Sequence, residues 1–322
     1  MSRHGKVILF VLVVVFAACS AHGETRSMSV ADSALNMSPL YGPEGLVMAP
    51  DGSLYIGEHD GRIRRIAPDG KVEEFADLND FPGEREEKIS AIGLAMDKEG
   101  DIYAATLTAL DGAVIKIVGP GKPDAGKLSL FRSGINSANF ILVDDESGMM
   151  YVSDSSMLSG CVFKFDMNDE SLIGSAADRE KDSLGKFSYA NGLVLGPEKK
   201  WIYVSETVKG RVSRINLADG SSEVFAKTGG WADGLAYDAE RKLFFVCDNK
   251  GGRILAVDLS GKVAGELHLV GKEGQCAPAC ILLKADTIIF TDLWKASLWA
   301  ALFGKPEYHS YVYEVPIAEI LK

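Results

Sequence analysis

Cysteine is scarce in this chain, five residues in 322, which excludes a small disulfide-stapled scaffold. Positive charge is also short: 34 Lys and Arg stand against 45 Asp and Glu, a formal net charge of −11. Nucleic acid and anionic membrane surfaces are therefore poor partners. Long apolar runs are missing except at residues 7–16, and that run is about half of what a spanning helix needs. No convincing amphipathic helix separates the β-rich runs. What is present is 47% hydrophobic residues, enough for a large core and incompatible with a disordered chain.

The apolar run follows Arg3, His4 and Lys6 and precedes Ala17-Ala18-Cys19-Ser20. Basic, apolar and small-residue segments in that order are the layout of a secretory signal peptide over residues 1–18. Small residues before Cys19 also suit a lipobox, with cleavage near Ala21 or Gly23 as the alternative. The mature chain is thus expected in the periplasm, anchored through lipid at Cys19, or else secreted. Such a compartment is oxidising, so Cys276 could pair with Cys280, or Cys161 or Cys247 with another thiol. Residues 19–40 read as a tether or an added edge strand.

From residue 41 onward one paragraph recurs. Asn191-Gly192-Leu193 opens an apolar strand; a turn follows, then Trp201-Ile202-Tyr203-Val204, Glu206 and Gly210-Arg211-Val212. The same order begins at Glu44-Gly45-Leu46 and Asp233-Gly234-Leu235, and more loosely at Ile92, Asn139 and Ala279. The starts lie 48, 47, 52, 42 and 46 residues apart, with 43 residues after the last. A period of about 40 to 50 with several short strands per unit is the signature of propeller blades. The expectation is an all-β, six-bladed β-propeller with four-stranded blades over residues 41–322. A solenoid would need polar capping repeats, and neither end copy is polar enough.

The glycine of the repeat is nearly constant, so the backbone there needs either positive φ or close approach to a neighbour. The residue before it varies: Glu44, Ile92, Asn139, Asn191, Asp233, Ala279. If first strands line the channel, these six form a ring around its axis. Four offer side-chain oxygen and none is His or Cys, which suits one hard divalent cation. Calcium is preferred, with magnesium, manganese and lastly zinc behind it. Asn-Gly and Asp-Gly also make hairpin turns, but Glu44 is no turn former and these residues open strands. Asn136 rivals Asn139, because Phe140 replaces the glycine in that copy.

Gly42-Pro43-Glu44-Gly45-Leu46, Ala190-Asn191-Gly192-Leu193 and Ala232-Asp233-Gly234-Leu235 resemble the superfamily of gluconolactonase, senescence marker protein and luciferin-regenerating enzyme. The stretch 191–217 also resembles strictosidine synthase. The resemblance implies a divalent cation, usually calcium, held by Glu44, Asn139, Asn191 and Asp233. It also implies hydrolysis of a lactone or related ester, with Asp233 as general base. Sugar-lactone members carry an arginine two residues before the first Asn ligand, where this chain has Ser137, so a sugar lactone is not implied. No histidine pair of the paraoxonase kind is evident, and no catalytic glutamate of the strictosidine synthase kind can be placed.

Around the mouth, second strands end at Glu58, Asp154, Glu206, Asp248 and Asp292, with Thr106 in copy two. Acids at one recurrent turn most often bind turn amides. His59, Phe140, Tyr189, Trp231 and Trp294 are the candidate pocket residues, His59 as a possible proton carrier and the aromatics as an apolar wall. Two functions follow from these residues. One is a metal-dependent hydrolase of a small-molecule lactone or ester, expected as a monomer. The other is a non-catalytic exported propeller whose calcium ion ties blades together while the rim binds a partner.

Overall fold

The structure is a computed structural model that describes residues 26–82, 88–107, 112–293 and 310–322. It is an all-β, six-bladed propeller, and its first strands begin where the six sequence copies begin. Blade 1 runs outward through Pro43–Met48, Leu54–Glu58, Arg62–Ile66 and Val72–Asp77. Blades 3 and 4 follow the same antiparallel plan, with inner strands Ala138–Asp144 and Ala190–Leu195. The inner strands of blades 2, 5 and 6 are Ser90–Met96, Ala232–Asp238 and Pro278–Lys284. Each inner strand touches the next, and that of blade 1 touches that of blade 6, so the ring is closed. Among the described residues, helices are limited to single turns such as Arg179–Asp182 and Ile317–Ile320.

Blades are not uniformly four-stranded, and this corrects the expectation from the repeat. Blade 2 gains a fifth strand, Ser175–Ala176, which lies parallel to its outer strand. Blade 5 has six strands, because Ser27–Ser29 pairs in parallel with Val263–Gly271 and Gly274–Gln275 folds back on it. Blade 6 shows three strands among the described residues. Its outer edge is met by the N-terminal segment, through bridges from Ala34 to Tyr313 and from Leu40 to Ser310. An edge strand left bare is a template for unwanted pairing; here the beginning of the chain covers it.

The core is a set of wedges between blades. Ile56 and Leu46 of blade 1 pack with Ile289 and Val312 of blade 6, while Tyr203 of blade 4 packs with Phe244 and Val246 of blade 5. Second strands are buried on both faces: all of Leu54–Glu58 and nearly all of Leu243–Asp248 are enclosed. This explains why they read as continuous apolar runs with no alternation. Each such Leu, Ile or Phe contributes roughly 1.5–3 kcal/mol when fully buried. The four described cysteines are unpaired and buried within this packing, so neither Cys276 with Cys280 nor any pair with Cys161 or Cys247 is bridged.

Candidate metal and active site

Six local distortions build the site. In every blade the register between the first and second strands shifts at one place: between Pro43 and Leu46, Ala91 and Leu94, Ala138 and Ile141, Ala190 and Leu193, Ala232 and Leu235, and Pro278 and Ile281. The two residues skipped in each are the variable residue and the one that follows it, glycine in four blades, Phe140 in blade 3 and Cys280 in blade 6. A bulge bends its strand and re-aims a side chain.

The glycine column answers to close approach and not to positive φ. A Cβ on Gly45 would lie 2.6 Å from the Ile92 carbonyl oxygen, on Gly93 2.1 Å from that of Asn139, on Gly192 2.3 Å from that of Asp233, and on Gly234 2.4 Å from that of Ala279. None of the four has positive φ. Each blade's variable residue therefore presses its carbonyl on the glycine of the blade before it. The two exceptions are Phe140 and Cys280. At the seam with Cys280 the Glu44 carbonyl is instead taken by the Thr291 hydroxyl, 2.9 Å away.

Glu44, Asn139, Asn191 and Asp233 line one axial cavity, together with Ile92, Ala279 and Phe140. The water-sized room at its centre is about 10 Å³, enough for a single ion- or water-sized guest. Asn139, Asn191 and Asp233 are buried at 7%, 4% and 7% exposure, whereas Asn136 is exposed and absent from the lining. Burial and the nearby Glu44 charge together push the Asp233 carboxyl well above the ordinary carboxylate range, against a hydrogen bond from Asn191. Two carboxyl groups enclosed this closely destabilise each other's ionised form unless a positive charge joins them.

Of the pocket residues, Phe140 lines the cavity. Tyr189 is half-buried and outside the lining; burial, then Glu44 and Asp233, push its phenol up to about 12. Its backbone has φ +60°, a left-handed conformation uncommon for an aromatic residue. His59 Nε2 lies 2.5 Å from Glu44 Oε2. Trp231 is on the rim, 41% exposed, with Lys250 Nζ 5.4 Å from its ring centre, and does not line the cavity. Trp294 lies outside the described residues, as do the signal segment and Cys19. Ser137, at the sugar-lactonase arginine position, uses its backbone to join blade 3, its amide donating to Asp154 Oδ1 at 3.2 Å.

The acids that end second strands are structural clasps. Glu58, Glu206, Asp248 and Asp292 accept the amides of Tyr41, Ser188, Trp231 and Ala277 at 2.7, 3.0, 2.9 and 2.7 Å, each time in the loop that enters the inner strand. Arginines meet most of these acids: Arg179 on Asp154, Arg211 on Glu206, Arg253 on Asp248. Glu58 is the least well paired, since its Oε2 lies 3.3 Å from Arg62 Nε without hydrogen-bond alignment. Burial, reinforced by Asp60, raises its carboxyl to about 7 although the Tyr41 amide and Arg62 oppose the shift. An acid raised in this way favours the folded state most below its unfolded pKa, near 4.5, and this stabilisation is lost as pH climbs to about 7. Wild type should therefore lose on the order of 2–3 kcal/mol relative to Glu58→Gln between pH 4 and pH 8. Urea midpoints of both proteins across that range test it, and parallel curves would contradict it.

Sequence reasoning did not find several rim residues. Leu107, Met157, Leu158 and Val208 are exposed at 36%, 58%, 100% and 50%; Leu107 ends the second strand of blade 2, and the others closely follow second-strand ends in blades 3 and 4. The signal was available, because in blades 2, 3 and 4 they come one to four residues after Thr106, Asp154 or Glu206.

The comparisons with known proteins fit this architecture. A family model described as SMP-30/Gluconolactonase/LRE-like region matches residues 172–291, and one described as Strictosidine synthase-like, N-terminal, matches residues 33–66. The first holds Asn191 and Asp233, the second Glu44; Asn139 lies in neither. No curated protein matches the chain significantly. Among solved structures, a calcium-binding protein, regucalcin, from Agrobacterium tumefaciens is 16% identical with a TM-score of 0.64, over 90% of this chain and 95% of that one. A gluconolactonase from Xanthomonas campestris is 16% identical with a TM-score of 0.62, over 88% of each chain. An aldose sugar dehydrogenase from Streptomyces coelicolor, in its PQQ-bound form, is 15% identical with a TM-score of 0.64, over 88% of this chain and 96% of that one. The chain has the fold of the gluconolactonase and regucalcin superfamily. That fold carries different chemistries in these neighbours, so function has to be argued from the site.

Proposed function

We propose that this protein is a divalent-metal-dependent hydrolase of a lactone or related ester. The observation that carries the reading is one ion-sized axial cavity lined by Glu44, Asn139, Asn191 and Asp233. The donor set passes a test of fit. It pairs two carboxylates with two amides, all hard oxygen donors, and the mutual repulsion of Glu44 and Asp233 is what a bound cation would relieve. The preference for calcium over zinc, copper and iron rests on donor type, since Glu44, Asn139, Asn191 and Asp233 offer hard oxygens and none of the four is His or Cys; among the described residues, no three His, Cys, Asp or Glu side chains cluster. Four side chains leave a calcium coordination sphere open, and when bound the ion would polarise a substrate carbonyl.

The chain's own residues supply the rest. Asp233 accepts the proton of the attacking water at its carboxylate and later returns it to the leaving alkoxide. Asn191 donates to Asp233 and keeps it oriented. Phe140 restricts water at the cavity, and the apolar rim at Leu107, Met157, Val208 and Trp231 favours an ester with apolar substituents over a free sugar acid. The non-catalytic alternative, with an ion that only joins blades, draws on the narrowness of the same cavity.

Calorimetry of calcium-free protein should show about one equivalent of calcium bound, more tightly than magnesium. In a screen of lactones and esters, chelator should abolish turnover while circular dichroism keeps its β signal. Cooperative loss of the fold on chelation, with no turnover beforehand, would favour the structural ion. Absence of binding at millimolar calcium would remove the metal from the reading.

A further inference from the structure

Behind the cavity stands a second set of polar residues, those that follow four of the five second-strand acids: His59, Ser155, Thr207 and Asn249. Three of these side chains latch their blade to the next. The Ser155 hydroxyl donates to the Ala190 carbonyl at 2.6 Å, the Thr207 hydroxyl to that of Ala232 at 2.7 Å, and the Asn249 amide to that of Ala277 at 3.3 Å. Blade 1 departs from this. There the latch is reversed, with the Ser90 hydroxyl of blade 2 donating to the His59 carbonyl at 2.7 Å. The imidazole is thereby released from latching and turns to the axis.

We infer that His59 and Thr207 are positioning residues that pre-set two candidate ligands, Glu44 and Asn191, for a cation; the inference rests on the metal reading above. His59 is held for this task on several sides. Its amide donates to the Tyr41 and Gly42 carbonyls, both at 3.2 Å. Its ring lies where a Cβ on Gly42 would sit, only 3.1 Å from Cγ, and Gly42 has φ +55°. Glycine is thus required at 42 both for its conformation and to admit the imidazole. With Nε2 placed 2.5 Å from Glu44 Oε2, His59 engages one carboxylate oxygen and leaves the other for the cavity. The Glu44 main chain is fixed separately by Thr291.

Thr207 settles which way the Asn191 amide faces. A hydroxyl has one proton, and that of Thr207 goes to the Ala232 carbonyl. Only its lone pairs remain for Asn191, whose Nδ2 lies 3.3 Å away. The amide must therefore present NH₂ to Thr207 and keep its carbonyl oxygen for a cation. Ser155 makes the same kind of latch in blade 3 but, among the described contacts, does not hydrogen-bond Asn139, so it serves as an internal control.

The test is calcium affinity by calorimetry on the mature protein, together with thermal unfolding of the calcium-free form. His59→Phe should weaken binding ~10- to 100-fold, the usual effect of losing an outer partner of a metal ligand, and His59→Gln, which keeps a donor near Nε2, should recover most of it. Thr207→Val should weaken binding about tenfold and Thr207→Ser should restore it. Ser155→Ala should lower the unfolding temperature about as much as Thr207→Val yet leave affinity nearly unchanged. Wild-type affinity in both His59→Phe and Thr207→Val would overturn the inference, as would equal losses in Ser155→Ala and Thr207→Val. Wild-type protein that takes up no calcium would remove the metal reading and this inference together.

Discussion

Asp233→Asn is expected to lower turnover by ~10²–10⁴ with calcium saturating, the range a general base supplies. Asn keeps an oxygen of similar size at the cavity wall but cannot accept the water proton. Glu44→Gln also keeps an oxygen and removes one charge, yet Glu44 has no proton to take in the proposed reaction. Its variant should bind calcium more weakly and regain most turnover as calcium is raised. Both acids face the same cavity and each loses one negative charge, so the electrostatic part of the change is matched. What separates them at saturation is the base. Turnover measured against calcium for both variants, on whichever ester the screen yields, decides it. If the two variants were equally active at saturation, Asp233 would be a ligand only, and the proton acceptor would have to be sought at the rim, beginning with His59.

The propeller and the ring were legible because both are written as repeats. Six first strands at nearly even spacing specify the architecture, and Glu44, Asn139, Asn191 and Asp233 stand in one column of it. Phe140 in place of glycine made Asn139 ambiguous with Asn136, and it takes the bulge between Ala138 and Ile141, with the burial of Asn139 against the exposure of Asn136, to separate them. Features that break the repeat were harder to read. The parallel strand Ser27–Ser29 and the bridges of Ala34 and Leu40 join residues more than two hundred positions apart in sequence and carry no periodic signal. The inward turn of His59 depends on which partner supplies a latch, Ser90 or the residue itself, and a single sequence does not weigh those hydrogen bonds. Second-strand acids were readable as turn acceptors because each sits where a loop amide needs a partner.

Gly192→Ala is expected to cost more than about 3 kcal/mol, beyond the usual range for an overpacked core. The added Cβ would meet the Asp233 carbonyl oxygen at 2.3 Å and the Gly234 Cα at 2.9 Å. Both are backbone atoms of the neighbouring inner strand, so no rotamer change can relieve the clash. Blades 4 and 5 must separate along the axis, and with a chain of this size the unfolding temperature should fall by roughly 6 °C or more. Gly174→Ala provides the contrast, since nothing lies within 4 Å of its added Cβ although its φ is +74°; conformational strain alone should cost only about 1 kcal/mol there. The carbonyl that Gly192 accommodates belongs to Asp233, so the same displacement moves a candidate ligand. Gly192→Ala should accordingly weaken calcium binding as well as stability, while Gly174→Ala leaves binding intact. Thermal unfolding and calorimetry on the two variants test both halves, and a Gly192→Ala protein as stable as Gly174→Ala would show that the inner strands are not held at the spacing from which the cavity is built.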